Sequence, residues 1–222
     1  MAFSGFSLVP LQGSVLIFEP SSGSFSSGAT LSQDYGDNIA ATIQDGFAYG
    51  SDYGFTPNVS VEYGGGPDPV DGYAVFWGPD FGDLDNVVEA ESEPNGLQIR
   101  LVAEPGYQVA LHGFDLAGWP EADYTINAVR VRGSDDAILF ESLNTFIAGA
   151  GPAHTSFDFA TAWLSSTIKI EWDSSNLGGS SDNIGIDNIS FSQVAIPEPA
   201  TALFAGLIGL GVGVVRSRRQ SA

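Results

Sequence analysis

Residues 97–103, Leu-Gln-Ile-Arg-Leu-Val-Ala, carry Leu97, Ile99, Leu101 and Ala103 in one phase, with Gln98 and Arg100 in the other. A period of two places those four apolar side chains on one face of a strand, whereas a helix would scatter them around its circumference. Short apolar runs recur along the chain as "SVLIFE", "IAATI", "NVSVEY", "YAVFWG", "YQVALHGFDLA", "YTINAVRVRG", "AILFES", "TSFDFA", "TIKIEW" and "IGIDNISFS". The 28 glycines and 12 prolines punctuate these runs instead of gathering in one linker. Such a rhythm predicts an all-β chain, a two-sheet β-sandwich of jelly-roll type, and no helix before the C-terminal segment. Residues 1–193 are enough for one domain with a sizeable core.

Two runs slip out of phase. In "YQVALHGFDLA", Tyr107, Val109 and Leu111 are followed by Phe114 and Leu116, which predicts a β-bulge at Gly113. In "IGIDNISF", Ile184 and Ile186 give way to Ile189 and Phe191, so the register changes at Asp187-Asn188. A bulge there turns Asp187 or Asn188 toward the sandwich edge. A buried carboxylate is costly unless a cation or several donors meet it, and an Asx turn satisfying its own backbone is the alternative. Residues 20–38, "GGGPDPVDG" and "DSSNLGGSSDN" read as loops or flexible edges, the places where sites are commonly built.

Charge narrows the partners. Residues 1–199 hold four basic side chains, Arg100, Arg130, Arg132 and Lys169, against 27 acidic ones, a net −23. Four scattered cations with no interleaved aromatic run exclude nucleic-acid binding, and the field repels anionic lipid. Divalent cations and neutral sugars are better partners, and solubility in a salty medium is the plainer reading of the same charge. The absence of cysteine removes disulfides, thiolate metal sites and cysteine nucleophiles.

No catalytic pattern stands out. His112, within a strand, and His154, in a loop, lack His-x-His, His-Glu-x-x-His or Gly-x-Ser-x-Gly surroundings, so both read as packed or surface residues and the chain as a non-enzyme. Abundant carboxylates leave open a hydrolase using two acidic residues. "DFGDLDN" crowds Asp80, Asp83, Asp85 and Asn86 into a turn of hard oxygen ligands, but its spacing matches no EF-hand, and a solvated acidic turn is the competing account. Sugar binding would need rings with polar neighbours. Trp77, Trp119, Trp163 and Trp172, with Tyr49, Tyr53, Tyr63 and Tyr73, supply the rings. Trp119, in the probable loop "LAGWPEADY", is the best candidate platform, while Trp77 and Trp172 alternate as core.

The tail, residues 194–222, is different in kind. Residues 200–215 hold no charged side chain and are rich in Leu, Ile, Val and Gly. As one helix they would span about 24 Å, short of a hydrocarbon core of roughly 30 Å unless flanking residues extend the span. Pro199 suits the first helical turn, and Arg216, Arg218 and Arg219 mark the cytoplasmic side, leaving the body outside.

The order Pro197-Glu198-Pro199, apolar segment, arginine cluster and chain end resembles the PEP-CTERM sorting signal of bacterial exported proteins. The resemblance covers about the last 26 residues. It implies secretion, a transient halt in the inner membrane, cleavage near the Pro-Glu-Pro by an exosortase-type enzyme, and a mature product on the cell surface or in the exopolysaccharide matrix. Members of that family begin with a secretory signal peptide, which "MAFSGFSLVPLQGSVLIFEP" does not resemble, so a start upstream of Met1 is expected. The body more weakly resembles jelly-roll carbohydrate-binding modules, which often hold a structural calcium between an acidic residue near the first strand and an Asp in the last. That likeness implies a calcium site at Glu19 and Asp187.

Overall fold

The computed structural model describes residues 13–20, 27–50, 56–65, 74–90 and 97–197. The described chain is all-β, with two sheets on one apolar core. Strands β1 (Gly13–Pro20), β2 (Ala29–Thr30), β3 (Ile43–Gln44), β4 (Phe47–Tyr49), β6 (Ala74–Trp77), β7 (Val87–Ala90), β9 (Tyr107–Gly118), β12 (Thr155–Ser165) and β14 (Ile184–Ala195) form the larger sheet. Strands β5 (Val59–Gly65), β8 (Leu97–Ala103), β10 (Tyr124–Arg132), β11 (Ile138–Ile147) and β13 (Thr167–Asp173) form the smaller, in the order β11-β10-β13-β8-β5. A 3-10 segment, Ser175–Ser180, is the sole helical element among the described residues.

Alternation explains the core. On β8 the buried row is Leu97, Ile99 and Leu101, as period two requires, and on β13 it is Ile168, Ile170 and Trp172. They meet Leu111, Leu116, Ile186, Ile189 and Phe191 from the larger sheet in one continuous cluster. Trp172 is core, as its phase predicts, but Trp77 is only partly buried and belongs to a separate small cluster.

The larger sheet forks. Along its whole length β14 pairs with β9, and β9 continues to β12. On its other edge β14 meets β7 through Ile186 and Val88, then β1 from Leu16 to Gly13. The two branches diverge where the register slips between Asp187 and Ser190. That bulge was legible from the apolar phase, and so was the one at Gly113, where β9 also slips against β14.

The serine- and glycine-rich stretch 20–38 departs from its expectation as a flexible edge in the part that is described, residues 27–38. Leu31 and Tyr35 are fully buried, followed by Ile39. The Tyr35 hydroxyl accepts from the Phe18 N–H at 2.8 Å, and its ring lies 4.7–5.2 Å from Phe18, Phe47 and Tyr49. One large amphipathic ring per turn is enough to anchor a polar segment, because a buried Tyr brings its apolar area and a hydroxyl that needs a backbone partner. The apolar tail helix expected over 200–215 lies outside the described residues. Among the described residues no helix is long and apolar enough to cross a membrane. The last strand runs to Ala195, two residues past the predicted domain end at 193.

Candidate functional site

Three irregularities converge on the outer face of the larger sheet. On β9 the chain slips at His112-Gly113, and on β14 it slips at Asn188, whose φ is +53°. On β12, four residues from Phe159 to Ala162 stand against the single residue His112, between the pairs Asp158–Gly113 and Trp163–Leu111. Bulges lift backbone out of the ladder and re-aim side chains, and here they surround a cavity of about 510 Å³. Gly13, Val15, His112, Gly113, Asp115, Asp158, Asn188 and Ser190 line it, with Phe114 beneath.

Each lining group has a local reason for its place. Ile189 and Phe191 point into the core, so Ser190 points out. Gly113 pairs with Asp158, and a Cβ at 113 would come 2.7 Å from the Phe157 carbonyl oxygen and 3.3 Å from Asp158 Oδ1. Glycine therefore lets the two strands and the Asp158 carboxylate close over the floor. His112 Nε2 bonds Ser192 Oγ at 2.8 Å, and burial pushes its imidazole below the ordinary value, so the ring is neutral near pH 7. Asn188 Nδ2 donates to Asp115 Oδ2 at 2.9 Å, which fixes that carboxylate at the cavity edge.

Beside the cavity runs a row of polar side chains. Ser156, Asp115 and Asp187 are register partners across β12, β9 and β14. Asp187 is only 6% exposed, and Oδ1 accepts from the Asn188 N–H at 2.7 Å. The bond is local, to the next residue's N–H, one residue short of the i+2 donor of an Asx turn. Burial pushes Asp187 up to about 8; the Asn188 N–H opposes the rise, and the charges of Asp115, Glu19 and Asp85 add to it. A carboxyl in that position is protonated at neutral pH.

Next to Asp187 on this face lies a strap, residues 78–86, between β6 and β7. Phe81 and Leu84 pair in a short bridge and pack with Val87 and Ala117, flanked by Trp77 and Trp119. Gly185, two residues before Asp187 and so on the same face, lies under Phe81 and Val87, where a Cβ would come 2.5 Å from the Val87 side chain. The Glu121 N–H donates to the Asp80 carbonyl at 2.7 Å and Ser27 Oγ donates to the Gly78 carbonyl, and two further contacts hold the strap down. Gly82, at φ +59°, rests on Ala153, whose carbonyl oxygen a Cβ at 82 would approach to 1.9 Å. Asp83 Oδ1 takes a 2.7 Å hydrogen bond from His154 Nδ1, which holds Asp83 below the usual carboxylate range.

The other face of His154 completes a chain, since Nε2 lies 3.0 Å from Ser156 Oγ. Asp83, His154 and Ser156 thus follow the connectivity of an acyl-transfer triad. The chemistry does not fit: Asp115 Oδ1 stands 3.7 Å from the same Nε2, and a carboxylate beside the serine opposes the oxyanion that acyl transfer develops. The arrangement serves as a clamp on the strap.

The acidic turn "DFGDLDN" is therefore the strap itself, with Asp83 engaged and Asp80 and Asp85 exposed. Glu19, at the exposed end of β1, reaches Asp187 electrostatically. Among the described residues no three His, Cys, Asp or Glu stand together closely enough to hold a metal ion. Glu19 and Asp187 would supply two of the roughly six to eight oxygens that calcium takes. Trp119 is half-buried, edge to face with Trp77 at 6.2 Å, and does not line the cavity. Pro197 is exposed; Glu198, Pro199, Arg216, Arg218 and Arg219, like Tyr53 and Tyr73, lie outside the described residues. The cavity itself escaped the sequence reading, although both phase slips that shape it were there to be combined.

The four basic residues of the body are all on the smaller sheet, each with an acid. Arg100 pairs with Glu62 at 3.1 Å, Arg130 with Glu141 at 2.7 Å and Arg132 with Glu171 at 2.6 Å, while Lys169 pairs with Asp136. No family model matches the chain, and no curated protein does.

Proposed function

We propose that the chain is an exported, non-catalytic protein of the cell surface or exopolysaccharide matrix, whose β-domain binds carbohydrate. The cavity on the outer face carries this reading. It presents hydroxyl, amide, imidazole and carboxylate groups over a glycine floor, partners for sugar hydroxyls, and none of the Trp or Tyr rings named as platforms lines it. The finer jelly-roll topology belongs to the same proposal, as does the helical tail over 200–215. Retention of the full chain on matrix polysaccharides in affinity electrophoresis tests the binding: retardation on at least one is expected, and none on any would overturn it. Release of reducing ends from a retained polysaccharide would overturn the non-catalytic part.

Sorting is a separate element, supported by the order of Pro197-Glu198-Pro199, the uncharged segment and the three arginines. Replacing Pro197, Glu198 and Pro199 together with alanine, in a host that carries an exosortase-type enzyme, is expected to leave an unprocessed, membrane-retained form. Membrane fractionation with mass measurement reads this, and unchanged mass and release would refute the assignment. The inner membrane is then a transient partner, and polysaccharide the lasting one.

A further inference from the structure

The distribution of charge narrows the ligand beyond carbohydrate in general. Every Lys and Arg of residues 1–199 sits on the smaller sheet and is paired there, so no Lys or Arg of the body reaches the cavity. Two carboxylates line that cavity. Asp115 is steadied by Asn188 and lies 3.7 Å from His154 Nε2, and the Asp158 carboxylate has no hydrogen bond or ion pair with any described residue. Asp158 is exposed, and its carboxylate lies over Gly113 at the cavity wall. The His112 ring is neutral and adds no positive charge.

A ligand entering here meets the carboxylates of Asp115 and Asp158 with no Lys or Arg beside them; among the described residues only His154 Nε2, 3.7 Å from Asp115 Oδ1, is within ion-pair reach of either. Anionic sugars are repelled, since uronate, sulfate or phosphate groups would bring like charge against both carboxylates. A neutral sugar can donate hydroxyls, but it leaves the charge unanswered. A sugar with a free amino group supplies both: its ammonium carries three donors and a positive charge, and its ring hydroxyls meet Ser190, Asn188 and His112.

Building on the carbohydrate reading, we infer that the cavity selects an amino sugar bearing a free ammonium group, held between Asp115 and Asp158. The ammonium makes charge-assisted bonds to the two carboxylates, and the glycine floor lets the ring approach the backbone.

Titration of the full 222-residue chain with three oligomers of equal length tests this. The three are a glucosamine oligomer, its N-acetylated counterpart and a neutral glucan. The glucosamine oligomer is expected to bind about tenfold or more tightly than the other two, with an advantage that shrinks as salt is raised. Asp158→Asn is expected to remove most of that advantage without moving the melting temperature. Asp115→Asn, tested beside it, should reduce binding of the same oligomer. Equal affinity for all three oligomers would overturn the ammonium assignment and leave the carbohydrate reading standing. Binding of none would overturn the amino-sugar assignment, and the carbohydrate reading falls with it if affinity electrophoresis also shows no retardation on any matrix polysaccharide. Equal competition by a simple diamine at matched concentration would overturn the sugar half, because charge alone would then account for binding.

Discussion

Asp187→Asn is expected to stabilise the protein at neutral pH, by about 2–4 kcal/mol. The native state holds Asp187 as a neutral carboxyl, pushed up to about 8 chiefly by burial, whereas an unfolded aspartate ionises near 3.9. Between those values the native chain binds the extra proton. The slope of unfolding free energy with pH follows protons bound unfolded minus protons bound native, so it is negative here. This group therefore lowers stability by about 1.4 kcal/mol for each pH unit from about 4 to about 8, and adds no slope beyond either end. Asparagine has the shape of the neutral form, can still accept from the Asn188 N–H, and offers its NH₂ to the acids around it.

His112 complicates the acid side of that window. Its imidazole is held below the ordinary value, so the unfolded state takes a proton first as pH falls below about 6.5, and stability falls with it. The clean interval is pH 6.5 to 8, and the difference between variant and parent isolates Asp187 throughout. Thermal melting at several pH values should show the variant higher at pH 7.5, by roughly 5–15 °C, with a flatter profile. A variant that melts lower at pH 7.5 would refute the neutral carboxyl. The same measurement separates it from a calcium ligand: the Glu19 and Asp187 site implied by the carbohydrate-module likeness predicts a calcium-dependent rise in melting temperature that Asp187→Asn abolishes. With a protonated Asp187, millimolar calcium leaves the melting temperature unchanged.

Gly82→Ala is expected to cost about 2–4 kcal/mol. An alanine at φ +59° carries the left-handed penalty, and its Cβ would stand 1.9 Å from the Ala153 carbonyl oxygen, a backbone atom that no rotamer change can move. The strap must lift. Phe81 and Leu84 then lose their seat on Val87 and Ala117, and water reaches Asp187. Rehydration lowers the cost of ionising Asp187, so this variant should also lose part of the pH dependence between 6.5 and 8. Gly82→Ala and Asp187→Asn are then non-additive, because both act on the burial of one carboxyl. A Gly82→Ala protein within about 0.5 kcal/mol of the parent, with an unchanged pH profile, would show that the strap does not depend on that contact.

The two bulges illustrate how far one dimension reaches. Apolar phase located them at Gly113 and at Asp187-Asn188, since a buried face tolerates no slip without an extra residue. Phase says nothing of whether two bulges are neighbours, and their adjacency depends on β9 pairing with β14. The surroundings of Trp119 were hidden for the same reason. Its loop position was read correctly, but Trp77 and the strap cover one side of it. The role of Asp83 was hidden too, because its partner His154 is 71 residues away.

Period-two alternation, turn residues and the charge count were sufficient for an all-β body, its inward faces and its bulges, because each depends on neighbours a few residues apart. The cavity, the clamp on the strap, the neutral state of Asp187 and the segregation of every body cation onto one sheet depend on strand order. These pairings close loops of tens of residues, and the packing of the whole core selects among them, so they become visible only when the chain is folded.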